Sequence, residues 1–272
     1  MPRKKKGGDN VKIFGRVRNL MPWEPRKTSL QVCPGNKLRN KTEKHTNEYQ
    51  FSKVFGIDIN NEQIYQDMVI PMLDNVLKGF NAVLIAYGQT GSGKTFSMLG
   101  KPKLNIVGIL PMTLAYLIKQ KSVTKLEISA VEAFGHHVAK IELFDLYFPH
   151  NQTPTWGEKK GNTGQEMHKA IRKKVENMDE AYSLIRYAHA ASHFAPTGKN
   201  PESSRGHVTF VAKVYQDAPD GSNNDLISFF LFLDCAGSEG ETAFTPDFIA
   251  SVDKTTLMAR RLEAGCINTG LS

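Results

Sequence analysis

Lys94 and Thr95 stand side by side behind three glycines, Gly88, Gly91 and Gly93. Read as Gly88-x-x-x-x-Gly93-Lys94-Thr95, with Gln89, Thr90, Gly91 and Ser92 between, the spacing is that of a loop that wraps a nucleotide's phosphates. Glycines let the backbone curl until successive N–H groups point into one concavity, and they let a phosphate approach the chain closely. Lys94 supplies a compact positive charge for the β- and γ-phosphates, and the Thr95 hydroxyl is the expected Mg²⁺ ligand. Ahead of the loop, Ala82–Tyr87 is an apolar run short enough for a strand buried on both faces. Behind it, Phe96–Leu99 begins a helix whose N-terminal dipole faces the phosphates. The competing account is an ordinary glycine-rich turn, and the strand directly in front of the loop argues against it.

Holding phosphates is not sensing them. That needs groups that meet the γ-phosphate and move when it leaves. Two stretches fit. The first is Asn200-Pro-Glu-Ser203-Ser204-Arg205-Gly206-His207, an amide, hydroxyls and a guanidinium leading into a strand. The second is Asp234-Cys-Ala-Gly237-Ser238-Glu239, directly after the apolar run Phe229–Leu233. A carboxylate at the end of a buried strand, here Asp234, is placed to hold Mg²⁺ through water. Gly237 then lets a backbone N–H reach the γ-phosphate.

The elements that must position these groups are legible in outline. At 272 residues the chain suits one large α/β domain, and 40% hydrophobic content is enough for a full core. Net charge is +8, which suits an acidic partner surface without choosing among nucleic acid, anionic lipid and acidic protein. Cys33, Cys235 and Cys266 are odd in number and far apart, so neither a disulfide framework nor a metal spacing is visible. Residues 1–10, MPRKKKGGDN, read as a basic flexible tail with no apolar run behind it, and no segment approaches transmembrane length.

Val11–Val17 alternates like a strand, Lys37–Asn47 reads as a polar loop, and Tyr49–Phe55 alternates again with Tyr49 and Phe51 inward. Asn61–Leu77 has helical spacing through Ile64, Met68, Leu73 and Leu77, with a kink expected at Pro71. Lys101–Gly108 is a short loop, and Ile109–Lys119 is a second helix with Pro111 in its first turn. Lys125–Phe134 and Val138–Leu146 read as paired strands around a tip at Gly135-His136-His137. The two histidines have no carboxylate or cysteine at ligand spacing. Pro149–Lys169 reads as an exposed insertion and Met178–His193 as an amphipathic helix. Gly206–Tyr215 and Leu226–Leu233 are strands joined by the turn residues Asp217–Asn224. A last helical pattern starts near Lys254.

Taken together, YGQTGSGKT, NPESSRGH and LDCAGSE, in this order and at these separations, resemble the kinesin motor domain, which carries YGQTGSGKT, NxxSSRSH and DLAGSE. Val17-Arg18, Ile64-Tyr65, Gly108-Ile109-Leu110-Pro111 and Ile267-Asn268 extend the likeness over nearly the whole chain. The resemblance implies a three-layer α/β/α P-loop NTPase fold with a central, mostly parallel sheet, occupying residues 11–272. It implies that Gly88–Thr95 cradle ATP, and that Arg16 and Tyr65 lie by the adenine. Asn200, Ser203, Ser204 and Arg205 match switch I, with the serines near the γ-phosphate and Ser204 at Mg²⁺. Asp234, Gly237 and Glu239 match switch II. Closure of an Arg205–Glu239 ion pair would orient the attacking water. The implied activity is microtubule-stimulated ATP hydrolysis driving movement in the cytoplasm, with a microtubule rather than nucleic acid or membrane as partner.

Several positions depart from the pattern: Asn19 where a proline usually follows the RxR pair, Ser192 for an arginine, Gly206 for serine, Cys235-Ala236 for Leu-Ala. The Gly240–Lys254 segment is longer than the usual loop and lacks its glycines, and Thr269-Gly270 stands where Lys-Ser is usual. Kinesin motors also continue beyond the point matched by Ser272, so the chain reads as incomplete at the C-terminal side of the motor domain. These departures keep open a non-motile microtubule-binding scaffold with a kinesin fold.

Overall fold

The computed structural model describes residues 11–22, 24, 29–42, 45–137, 140–148, 169–192, 194–195, 203–204, 206–217 and 225–238. The described chain forms two compact units, residues 1–64 and 65–272. The expected insertion at Pro149–Lys169, all but its last residue, and the expected helix from Lys254 lie outside the described residues.

In the first unit, β1 (Phe14–Arg16) pairs in parallel with β5 (Lys53–Phe55). Beside them, β2 (Leu30–Cys33), β3 (Lys37–Lys41) and β4 (Thr46–Gln50) form an antiparallel meander. The expected polar loop at Lys37–Asn47 is therefore mostly strand. Its only apolar residue, Leu38, is buried, and cross-strand ion pairs from Lys37 (2.7 Å) and Arg39 (3.1 Å) to Glu48 supply what hydrophobic alternation does not. Tyr49 points outward rather than into a core. The unit ends with a single helical turn, α1 (Asn61–Ile64).

The second unit opens with a widened π turn, Tyr65–Val69, followed by α2 (Ile70–Val76). Pro71 has no N–H to give to the carbonyl of residue 67, so the bond pattern shifts upstream, where a kink at the proline was expected. After β6 (Ala82–Ala86) come α3 (Lys94–Met98), a small hairpin of β7 (Gly100–Lys101) and β8 (Ile106–Val107), and α4 (Ile109–Ile118). The hairpin replaces the expected loop at Lys101–Gly108. The long strand β9 (Val123–His137) then pairs with β10 (Lys140–Asp145) and β11 (Lys173–Lys174). His136 and His137 belong to the strand rather than to a tip, because the ladder runs on until His137 faces Lys140.

α5 (Met178–Ala191) buries Ala181, Ile185 and Ala188, with Leu184 half-buried. Asn177 caps it: its Oδ1 accepts from the Glu180 N–H at 3.0 Å, and the Glu180 carboxylate accepts from the Glu176 N–H at 2.9 Å. The short pair β12 (Phe194–Ala195) and β13 (Ser203–Ser204) precedes β14 (His207–Gln216) and β15 (Leu226–Asp234).

The main sheet has the order β10-β9-β14-β15-β6. It is mixed: among the described strands of this sheet only β15 and β6 pair in parallel, because β9–β10 and β14–β15 are joined by short connections that force antiparallel pairing. One face carries the core, with Ile128, Phe210, Phe230 and Phe232 fully buried. On β6 the opposite face is open: Val83, Ile85 and Tyr87 are each more than half exposed, where the apolar run predicted burial on both sides. α2 and α3 lie against β6 and β15, and α4 lies between β9 and α5. This packing sets the loop after β6 beside the end of β15.

Candidate phosphate-binding site

The loop between β6 and α3 is shaped by its glycines. Gly91 (φ +76°) and Gly93 (φ +96°) occupy the left-handed region, which costs other residues about 1–2 kcal/mol each. A Cβ on Gly88 would come within 2.8 Å of the Ser92 hydroxyl. Within the loop the Ser92 N–H donates to the Gln89 carbonyl at 3.1 Å, and both the N–H and the hydroxyl of Ser97 donate to the Gly93 carbonyl. Lys94 folds its ammonium back over the loop, donating to the carbonyls of Gly88 and Gln89, both at 2.9 Å.

Across from the loop stands Asp234, in register with Ala86 on the neighbouring parallel strand. The Thr95 hydroxyl donates to Asp234 Oδ2 at 2.6 Å, which joins two residues 139 apart in sequence. Asp234 is 6% exposed, and its Oδ1 has no hydrogen-bond partner among the described residues. Burial pushes the carboxyl up to about 6, against the opposing pull of the Thr95 hydrogen bond and the Lys94 charge. A buried carboxylate oxygen with nothing to accept, beside a threonine hydroxyl, is an all-oxygen donor set that fits a hard cation with its own water. Thr95 and Asp234 are thus the residues that would hold Mg²⁺ here. Next to them, burial pushes the Cys235 thiol up to about 11, so it stays neutral and inert.

The stretch after β15 is stitched to the loop by its backbone. The Cys235 N–H donates to the Ala86 carbonyl at 3.2 Å, and the Ser238 N–H donates to the Gly88 carbonyl at 3.1 Å. Between them the Ala236 N–H donates to His207 Nδ1 at 3.2 Å. Gly237 is buried within this short run.

The structure therefore brings Gly88–Thr95 together with Asp234 and Gly237. Ser203 and Ser204 form β13, paired with β12. Asn200, Arg205 and Glu239 lie outside the described residues, and so does the expected ion pair. Arg16 belongs to the first unit, where it donates to Asn61 Oδ1 at 2.6 Å and partial burial lowers its pKa. Tyr65 is buried and its hydroxyl donates to the Met112 carbonyl at 3.2 Å. The side-chain acceptor role of His207 is absent from the sequence pattern. So is the buried Glu132 on β9, which lies where a Cβ on Gly206 would be. The only hint of the latter is Gly206 itself. No group of three or more potential metal ligands among His, Cys, Asp and Glu occurs among the described residues, and none of the described helices is long and apolar enough to cross a membrane.

A strand, a glycine loop with Lys94 and Thr95, and an opposed aspartate at the end of the adjacent parallel strand define a P-loop NTPase fold. The comparisons with known proteins narrow that class. The family model for the kinesin motor domain matches residues 16–272, and the chain belongs to this family. Kinesin-like protein KIF11-B of Xenopus laevis is 30% identical over 298 residues, covering 99% of this chain and 26% of the relative. Human kinesin-like protein KIF7 is 32% identical over 244 residues, covering 84% of this chain and 18% of the relative. The chain thus spans about a quarter or less of these relatives' length. A KIF14 dimer solved with AMP-PNP in complex with a microtubule superposes with TM-score 0.72 at 22% identity, covering 97% of this chain and 75% of that one. A solved fast kinesin gives TM-score 0.70 at 22% identity, covering 91% and 70%. These two likenesses speak for the fold.

Proposed function

We propose that the chain binds ATP at Gly88–Thr95 and hydrolyses it as the nucleotide-handling part of a microtubule motor domain, associated with the cytoskeleton in the cytoplasm. The observation that carries this reading is the 2.6 Å bond from Thr95 to Asp234, which ties the loop that holds phosphate to the segment that would sense it. Lys94 has two carbonyl partners on the loop, within reach of the concavity where the β- and γ-phosphates would lie, and phosphate oxygens are stronger acceptors than those carbonyls. Gly237 and Ser238 carry backbone N–H groups beside Gly88, where a terminal phosphate would be felt. Thr95, Asp234 and Ser204 are the residues that would hold Mg²⁺, which when bound neutralises phosphate charge. Arg205 and Glu239 are assigned the closing ion pair that orients water, and Asn200, Ser203 and Ser204 the γ-phosphate side. Tyr65 is assigned the adenine side. A phosphoryl transition state needs positioning and charge stabilisation more than a strong base, which suits this set.

The test is ATP turnover with and without microtubules, for the native chain and for Glu239→Ala. A motor accelerates strongly on microtubules, and Glu239→Ala keeps nucleotide affinity while losing roughly a hundredfold or more in turnover. Co-sedimentation with microtubules and no stimulation would overturn the motor reading in favour of a scaffold. Normal turnover in Glu239→Ala would overturn the role given to that residue.

A further inference from the structure

β14 begins after Gly206, and its first residue, His207, is 8% exposed. Its Nδ1 accepts the Ala236 N–H, so the proton of a neutral ring sits on Nε2. The run 235–238 is thus held at three points. Cys235 and Ser238 are bound to Ala86 and Gly88 on the phosphate-loop side, and Ala236 is bound to β14. Neighbouring registers are tight. Val208, next to His207, faces Asp234 on one side and Glu132 on the other. A Cβ on the preceding Gly206 would lie within 2.5 Å of Glu132 Cγ. The backbone before His207 is therefore pressed against β9, and the ring has little freedom to follow a shifted Ala236.

We propose that His207 is a positioning residue that, from the start of β14, holds the backbone of Ala236–Ser238 in place. The proposal rests on the ATP reading given above. The Ala236 N–H is buried, so without this acceptor it is left unsatisfied. Because Gly237 follows directly, that bond sets the direction of the N–H groups that would meet the terminal phosphate. His207 acts on turnover through this backbone rather than by touching nucleotide. Loss of the acceptor should therefore lower kcat while leaving nucleotide affinity nearly intact.

Three substitutions separate positioning from bulk packing. His207→Asn keeps an acceptor oxygen near the place of Nδ1, His207→Gln moves it outward toward the place of Nε2, and His207→Leu removes it. Two quantities are measured on the full chain: amide hydrogen exchange of residues 235–238 without nucleotide, and ATP turnover beside fluorescent-nucleotide affinity. Exchange at Ala236 should quicken roughly tenfold or more in the Gln and Leu variants, as expected for a buried donor that has lost its acceptor. In those two variants kcat should fall about tenfold with Kd changed less than about threefold, and Asn should restore most of both signals. Equal behaviour of all three variants, or nucleotide affinity and kcat falling together, would overturn the proposal. Exchange is read without nucleotide. If the native chain neither binds nor turns over ATP yet the exchange pattern holds, the function fails and the tether stands. If ATP is bound and the exchange is unchanged in Gln and Leu, the tether fails alone.

Discussion

Asp234→Asn removes a charge that the fold has to bury while keeping an oxygen to accept from Thr95. The native carboxyl titrates at about 6 against an ordinary 3.8. At 1.36 kcal/mol per tenfold in proton affinity, that difference amounts to about 3 kcal/mol at most. The sign follows from which state holds the proton. Between about pH 4 and pH 6 the native state is protonated while the unfolded state is not. The stability contributed by this group is therefore fully present below 3.8 and lost as pH rises through 6. Other carboxylates titrate in both proteins and cancel in the comparison, as does the fixed cost of the new amide. The assay is urea unfolding of the native chain and Asp234→Asn, in parallel, without nucleotide or Mg²⁺, from pH 4 to pH 7.5. Stability of the native chain relative to the variant should fall by about 2–3 kcal/mol across that window. A difference constant to within about 0.5 kcal/mol, or one rising with pH, would refute the reasoning. Adding Mg²⁺ with nucleotide should reverse the trend in the native chain alone, because the cation favours the ionised carboxylate.

Lys94→Ala should weaken nucleotide binding by roughly a hundredfold or more through loss of the charge-assisted contact; fluorescent-nucleotide titration within about threefold of the native value would count against the site. Asn177→Ala removes the cap of α5 and should cost about 1 kcal/mol of unfolding free energy, with nucleotide affinity unchanged. Gly206→Ala forces a methyl group against Glu132 and should destabilise by about 1–3 kcal/mol. Adding Glu132→Ala should relieve part of that cost, and strictly additive losses in the double-mutant cycle would show the two are not in contact.

How much was legible divides along a physical line. The phosphate loop could be read directly, since Gly91 and Gly93 are demanded by backbone angles and Lys94 and Thr95 by local chemistry. Asp234 could be read because a carboxylate ending an apolar run has few roles except beside such a loop. The meander at Lys37–Lys41 was hidden because its stability comes from a facing strand and from Glu48, and nothing in KLRNK alternates. The openness of one face of β6 was hidden too, since Val83, Ile85 and Tyr87 are as apolar as Leu84. A lone tyrosine likewise does not disclose that its hydroxyl is spent on Met112.

The amino-acid order by itself determined which atoms are available: a loop that can accept positive φ, an ammonium and a hydroxyl after it, and a carboxylate 139 residues away. It also determined the family, because three spaced motifs constrain far more than any one. The tertiary structure alone decided that the carboxylate lies 2.6 Å from that hydroxyl with one oxygen unpartnered among the described residues, that Ala236 leans on His207, and that Gly206 yields room to Glu132. Those pairings depend on strand register and on what burial does to a charge, and neither is a property of residues taken in order.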